Sequence, residues 1–306
     1  MIRTYASPLA FKEALEARLR ERAQRDGRSV NRVRQLVVME RFLARVFADF
    51  DSALLKGGIV MELRLERARA TKDVDLRLNG RPDEILDRLQ AAGRSDLHDF
   101  LSFEVRADAA HPVIEADGLL YEGQRFRAEA RLAGRVYGSA FGVDIAIAEP
   151  IVGQPQEIEG SEVLAFVGVP RPRFLAYPVP THIAEKLHAY TLPRLRPNSR
   201  VKDLPDIALL AGSAAIEATA LAAAIEATFA NRGTHPVPST FSDPPEGWAP
   251  VYTRMASEEG LDWADLARLV GRRAVVRRPG ARRESRCLGS GELDMVRPRR
   301  IAGFEP

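Results

Sequence analysis

Two aspartates separated by one residue, Asp73 and Asp75, sit in a segment where Val74, Leu76 and Leu78 alternate with polar residues. That alternation predicts a strand, and residues two apart on a strand project from one face. Two carboxylates held side by side repel unless a proton or a cation lies between them. Hard oxygen ligands suit Mg²⁺ or Mn²⁺, and Mg²⁺ usually takes one or two carboxylates together with substrate phosphates. Upstream, Lys56-Gly57-Gly58 separates a short apolar run from a helical pattern starting near Ile59. A strand–Gly-Gly–helix junction leaves backbone N–H groups free and lets a phosphate approach the chain, where the helix N-terminus favours an anion. Lys56 and the basic residues Arg64, Arg67 and Arg69 are candidates to add positive charge. Thr71, just before the acidic pair, is a candidate phosphate contact, although a solvent-facing residue is the plainer reading.

A third acid, Asp144, interrupts the apolar run 141–148. A carboxylate there is costly to bury without a partner. On a strand beside Asp73 and Asp75 it would allow a second metal position; a structural salt bridge is the alternative. Each part is unspecific alone. The order of glycine turn, helix, acidic strand and lone acid in an apolar strand points to phosphoryl or nucleotidyl transfer over one sheet.

A second group lies later in the chain. Lys186 falls inside an apolar helical stretch with Ile183, Leu187 and Tyr190, and Asp203 and Asp206 are spaced one helical turn apart. One reading is an inter-helix ion pair, with Asp203 capping a helix over 204–211. The other has Lys186 contacting a nucleotide phosphate while Asp203 or Asp206 orients it or acts as a base. His182 and His188 have no partner at zinc-ligand spacing, and Thr191 reads as a loop residue.

The elements that must position these residues follow from pattern. Helices are expected over 8–27 and from about Asn31, the expected N-cap, to Phe50. A short strand at Ala53–Leu55, the acidic strand, and a helix from Pro82 to about Ala92 come next. Residues 100–148 read as β-rich. From about Pro180 the chain turns helical, with THIAEKLHAY (capped by Thr181), VKDLPDIALLAG and an Ala-rich helix, then a Pro/Gly-rich connector and a short helix at Trp263–Val270. The expected division is 1–175 and 176–306.

Composition narrows the class. The 306 residues are 45% hydrophobic and 28% charged, as in ordinary globular proteins. The single Cys287 excludes an intramolecular disulfide, which fits a reducing compartment. No segment approaches the roughly 20 apolar residues that span a bilayer, and the N-terminal stretch lacks the apolar core of a secretory signal, so a cytoplasmic location without a membrane partner is expected. The net charge of +3 names no partner, but the tail from Arg272 to Arg300 is strongly basic. Such clusters either attract nucleic acid or form solvated surface.

Four blocks together carry a resemblance: Lys56-Gly57-Gly58; Arg69-Ala70-Thr71-Lys72-Asp73-Val74-Asp75; Glu185-Lys186-Leu187-His188-Ala189; and Arg200-Val201-Lys202-Asp203-Leu204-Pro205-Asp206. In this order, over about residues 50–212, the chain resembles the AbiEii/AbiGii nucleotidyltransferase-like toxin family, which includes the mycobacterial MenT toxins. The resemblance implies an α+β fold: a polymerase β-like nucleotidyltransferase mixed sheet with flanking helices, plus a helical C-terminal region. It implies a toxin of a type IV toxin–antitoxin or abortive-infection system, with a cognate antitoxin. It also implies Mg²⁺-dependent transfer of a nucleotide from an NTP to the 3′ end of tRNA, blocking translation. In that scheme Gly57 and Gly58 cradle the triphosphate, Asp73 and Asp75 hold Mg²⁺, Lys186 contacts the nucleotide, and Asp203 or Asp206 supplies a late acid. Asp144 is not settled by these motifs, and Pro205 and the basic tail have no counterpart in them. A protein or small-molecule hydroxyl as acceptor, or a non-catalytic GTP-binding module, are the alternatives.

Overall fold

The computed structural model describes residues 5–65, 70–109, 123–147, 149–194, 200–240 and 243–270. Its first helix, α1 (Pro8–Asp26), starts where Ser7 accepts a hydrogen bond from the Ala10 N–H at 3.2 Å, and ends at Gly27 with φ +63°. The second, α2 (Val30–Asp49), is capped by Ser29, which accepts from the Arg32 N–H. Asn31, the expected cap, is inside the helix and accepts from Arg34 at 2.6 Å. Both hydroxyl caps satisfy N–H groups that lack an intrahelical acceptor.

The chain then runs through β1 (Leu54–Lys56), α3 (Gly57–Arg64), β2 (Asp73–Leu78), α4 (Pro82–Arg94), β3 (Ser102–Ala107), β4 (Gly123–Leu132), β5 (Arg135–Val136) and β6 (Phe141–Ile147). Two further strands, β7 (Gln156–Glu159) and β8 (Arg173–Ala176), flank a 3-10 turn at Ala165–Val167. They form one mixed sheet in the order β3-β4-β6-β2-β1-β8-β7, with β5 added to β4. β2 runs parallel to β6 and β1 parallel to β8; the other pairings are antiparallel.

Strand alternation gives this sheet two unlike faces. Val74, Leu76 and Leu78 of β2, Phe141, Val143 and Ile145 of β6, and Phe126, Ala128 and Ala130 of β4 are buried together with α1 and α2. Phe42 of α2 packs against Phe103 and Phe141 with ring centroids 5.4 and 5.5 Å apart, and Phe47 packs on Phe174 at 5.3 Å. Each large apolar side chain buried there contributes about 1.5–3 kcal/mol. A fully buried ion cluster fastens the segment after α4 to α2. Asp99 accepts from Arg41 at 2.7 Å and from Arg45 at 2.6 and 3.0 Å. Burial alone would raise the Asp99 carboxyl, but the two guanidinium groups hold it below its ordinary value.

The backbone divides into two compact units, Met1–Glu149 with Pro155–Tyr177, and Pro150–Gln154 with Pro178–Pro306. The second unit is built on α5 (Val179–Thr191), α6 (Asp203–Ser213), α7 (Ala218–Arg232), α8 (Trp248–Glu259) and α9 (Leu266–Val270). The expected α+β class holds: a mixed sheet with flanking helices, and helices after it. Several details differ from the sequence reading. Thr181 does not cap α5; its hydroxyl donates to the Val152 carbonyl at 2.8 Å and accepts from the Val152 N–H at 3.2 Å. Asp203 does not cap α6 but is its first residue, after Lys202. α8 begins inside the stretch read as a Pro/Gly-rich connector, and Trp248 and Tyr252 pack its buried side. Thr191 closes α5, with its hydroxyl 2.9 Å from His235 Nε2. Among the described residues, no helix is long and apolar enough to cross a membrane.

Candidate active site

The face of the sheet opposite the core carries charge in a defined row. Lys56 on β1 stands opposite Asp75 on β2, Asp75 opposite Asp144 on β6, and Asp144 opposite Arg125 on β4. The strand period of two puts all four side chains on one face. In the neighbouring row, Asp73 stands opposite Gly142, and Gly142 opposite Arg127. Asp73 and Asp75 therefore project together, with Val74 buried between them on the other face.

Two glycines make room for the two carboxylates. Gly57 has φ +70°, and a Cβ there would overlap the Asp75 carboxylate. Any side chain at that position would be strained by its backbone conformation as well as blocked. A Cβ at Gly142 would come within 2.5 Å of Asp73 Oδ1. Asp75 thus lies against the start of α3, and Asp73 leans over the β6 glycine. The helix starts at Gly57, two residues earlier than expected. Its N-cap, Lys56, makes no side-chain capping hydrogen bond. An eight-residue helix with no capping side chain, starting on two glycines, presents its first N–H groups to an anion.

The other predicted residues have defined places. Lys56 is buried, and its ammonium donates to Glu149, which also accepts from the Tyr177 hydroxyl at 3.2 Å. The Lys56 ammonium lies over the Tyr177 ring, 5.1 Å from its centroid. Thr71 shapes the entry to β2: its N–H donates to Glu62 at 3.0 Å and its hydroxyl to the Asp73 carbonyl at 3.1 Å. Arg64 donates to the Gln156 side chain and the Tyr177 carbonyl, at 2.8 and 2.9 Å. Arg67, Arg69 and the basic tail lie outside the described residues.

Asp144 is in register with the acidic pair, and Arg125 donates to both its oxygens at 2.7 Å. This hydrogen-bonded pairing, with Asp73 adding to the negative field, raises the Arg125 guanidinium above its ordinary range. Among the described residues, no three His, Cys, Asp or Glu side chains converge as a metal site. The donor set that fits a divalent cation is the Asp73/Asp75 pair, whose shell would be completed by phosphate oxygens and water.

The second predicted group lies wholly in the second unit. Lys186, 8% exposed, donates to Asp206 Oδ2 at 2.7 Å and stands 3.7 Å from Asp203 Oδ1. Asp203 and Asp206 are 3% and 1% exposed. Pro205 falls in the first turn of α6, where no intrahelical N–H is needed, so it fits the helix. Asp203 Oδ2 has no hydrogen-bond partner and faces Arg200 at 3.9 Å.

Sequence reasoning missed Arg125, Glu149, Tyr177 and Gly142. Arg125 and Gly142 touch the site only through strand register, which local pattern does not reveal. Glu149 follows an apolar strand and reads as a loop acid.

The sequence matches the profile of the family described as Nucleotidyl transferase AbiEii toxin, Type IV TA system, over residues 41–269. Among solved structures, the nucleotidyltransferase toxin MenT4 of Mycobacterium tuberculosis H37Rv is similar, with a TM-score of 0.51 and 14% identity, over 74% of this chain and 77% of that one. JHP933 of Helicobacter pylori gives a TM-score of 0.41 and 13% identity, over 66% of this chain and 79% of that one. No curated protein matches. The MenT4 likeness agrees with the mixed sheet and flanking helices, and the profile covers both the acidic sheet face and the Lys186 group: the chain belongs to the AbiEii family of nucleotidyltransferase toxins of type IV toxin–antitoxin systems.

Proposed function

We propose that this protein transfers a nucleotide from an NTP to the 3′ end of tRNA in the cytoplasm, in a Mg²⁺-dependent reaction restrained by a cognate antitoxin. The observation that carries the reading is the row of Asp75 and Asp144 beside Asp73, with Gly57 opening the start of α3 against it. Mg²⁺ held by Asp73 and Asp75 would supply charge neutralisation of the triphosphate. Gly57 and Gly58 receive the β- and γ-phosphates on the first turn of α3. The acceptor hydroxyl oxygen attacks the α-phosphorus, forming one O–P bond as the bridging bond to the β-phosphate breaks. Pyrophosphate leaves on the glycine side and the hydroxyl proton passes to solvent. Asp144 is the third acid of the set. Its joining the ligands requires Arg125 to release it.

Lys186 contacts the nucleotide in this reading. Its 2.7 Å bond to Asp206 supports Asp206 as the residue that orients it, and the Asp203 oxygen without a hydrogen-bond partner favours Asp203 as the late acid. The test is incubation of the purified protein with Mg²⁺, radiolabelled NTPs and total tRNA, followed by 3′-end sequencing. Labelling of tRNA that is lost in Asp73→Asn supports the reading. Label on protein with unchanged tRNA ends would replace the acceptor, and undiminished labelling by Asp73→Asn would overturn the site.

A further inference from the structure

The rows of the sheet extend past the acids. Beyond Asp73 and Gly142 lies Arg127 on β4, and directly opposite Arg127 lies Arg106 on β3. Both arginines are exposed, and alternation places them on the face of the acidic pair. Two like charges directly opposite across an antiparallel pair are destabilising. The next row of the same two strands contains a second such conflict, Glu104 opposite Glu129. There the sheet resolves it: Arg131 donates to Glu104 at 2.6 Å and stands 3.5 Å from Glu129. Among the described residues, neither Arg106 nor Arg127 has an acidic partner of that kind. The acidic conflict is neutralised within the fold, whereas both members of the basic one are exposed and have no such partner among the described residues.

Its position gives it a use. The uncapped start of α3 is on the β1 side of the acids, and the arginine pair is on the β4/β3 side. In-line displacement places leaving and attacking oxygens on opposite sides of the phosphorus. With the leaving pyrophosphate on the glycine side, the attacking hydroxyl arrives from the side of Gly142. That residue has no side chain to obstruct it, and Asp73 leans over it. At about 4.8 Å per strand, Arg127 is roughly 10 Å from Asp73 across the sheet. A polynucleotide whose 3′ terminus reaches the acids would carry its preceding phosphates over β6 toward β4.

We infer that Arg106 and Arg127 form a backbone-phosphate subsite for the 3′-terminal strand of the nucleic-acid acceptor. The inference rests on the proposed transfer reaction, and it assigns the pair to the acceptor and not to the NTP. The contacts are charge-assisted and carry no sequence preference.

The probe is a fluorescein-labelled single-stranded 12-nucleotide RNA, titrated by anisotropy at several salt concentrations, with the full chain. Arg106→Gln/Arg127→Gln is expected to weaken binding about tenfold and to lower the salt slope by roughly 0.7 per arginine removed. A fluorescent NTP analogue should bind this variant as it binds wild type, and the Tm should be no lower, because a repulsive pair has been removed. Arg18→Gln/Arg20→Gln, on exposed positions of α1, is the charge-matched control. Equal weakening by both doubles, or an unchanged RNA affinity and slope in the first, overturns the subsite even if Asp73→Asn abolishes transfer. If wild type binds no RNA while nucleotide still appears on protein, both the acceptor reading and the subsite fail together. A loss of NTP binding in the first double would reassign the pair to the triphosphate.

Discussion

On the sheet face, Lys56, Asp75, Asp144 and Arg125 stand in one row with the two acids at its centre; in the second unit, Lys186 lies between Asp203 and Asp206. The sheet row has its cations at the ends. Arg125 is committed to Asp144, and Lys56 donates to Glu149. Asp73, exposed at the start of its strand against Gly142, and Asp75, against Gly57, project from the same face of the sheet. In the helix pair the charges are buried and the lysine is their neutraliser. The same residue types therefore do different work. A buried triad stabilises its surroundings mainly because breaking it is expensive. An acidic pair on a sheet face repels until a cation lies between its members, which suits it to an external divalent ion.

The largest expected effect tests the sheet side of this contrast. Asp73→Asn should lower nucleotide transfer about 10²–10³-fold, the scale of losing a preorganised charge-stabilising group, with the Tm within about 2 °C of wild type. Asp206→Ala should behave oppositely in stability. It leaves the buried Lys186 ammonium with only the looser 3.7 Å contact to Asp203, at a cost of up to about 3–5 kcal/mol. Chemical denaturation of the two variants separates them; an Asp206→Ala protein with wild-type stability would break the comparison. Asp203→Asn sharpens it. Its 3.7 Å contact to Lys186 is the looser one, so it should lose more activity than stability, the reverse of Asp206→Ala.

Gly57→Ala and Gly142→Ala probe the space around the acids. At Gly57 the added methyl meets both the Asp75 carboxylate and a left-handed backbone, so loss of Mn²⁺ binding and a stability cost of about 1–3 kcal/mol are expected together. At Gly142 the obstacle is the Asp73 side chain alone. Mn²⁺ binding should weaken with a smaller loss of stability. Manganese titration by electron paramagnetic resonance beside thermal melts would read both. Equal effects at the two glycines would mean that backbone strain at Gly57 is not significant.

How much of this was legible depends on how local the cause is. Asp73 and Asp75 share a face because of a two-residue period, and the apolar partners Val74, Leu76 and Leu78 announced it. Gly57-Gly58 announced a turn, though the helix starts on the first glycine. The row joining Asp75 to Asp144 and Arg125 depends on register between strands about 20–70 residues apart, and nothing in a window of sequence fixes it. Asp144 shows the consequence. Its need for a partner was readable from its apolar setting, but the identity of that partner was not. β7 and β8 are four residues each, too short for a periodic signal. α8 was hidden behind the prolines that precede it.

The smallest effects extend the contrast to buried carboxylates with and without a cation, and the sign of their pH dependence differs. Asp99 is held below its ordinary 3.8 by Arg41 and Arg45 against the effect of burial. Its folded form binds the proton less well than the unfolded chain. The stability it confers is full above the ordinary carboxylate range and is lost as pH falls through the depressed value. Wild type should therefore exceed Asp99→Asn in stability at pH 7, and the gap should narrow in acid. Glu40 is 1% exposed and is raised above its ordinary 4.5, chiefly by burial. Ser161 opposes this with hydrogen bonds at 2.6 and 2.9 Å to one oxygen, while the other has no hydrogen-bond partner. Here the folded state holds the proton more tightly, so the contribution is full below 4.5 and is lost as pH rises through the raised value. Glu40→Gln, neutral throughout, should raise the stability at pH 7.5 by about 1 kcal/mol, or roughly 2–4 °C in Tm. The gain should shrink toward pH 4. A loss of stability at both pH values would show that the Ser161 bonds to a charged carboxylate outweigh its burial. Glu40 would then have to be grouped with Asp99 as a carboxylate stabilised in its charged form.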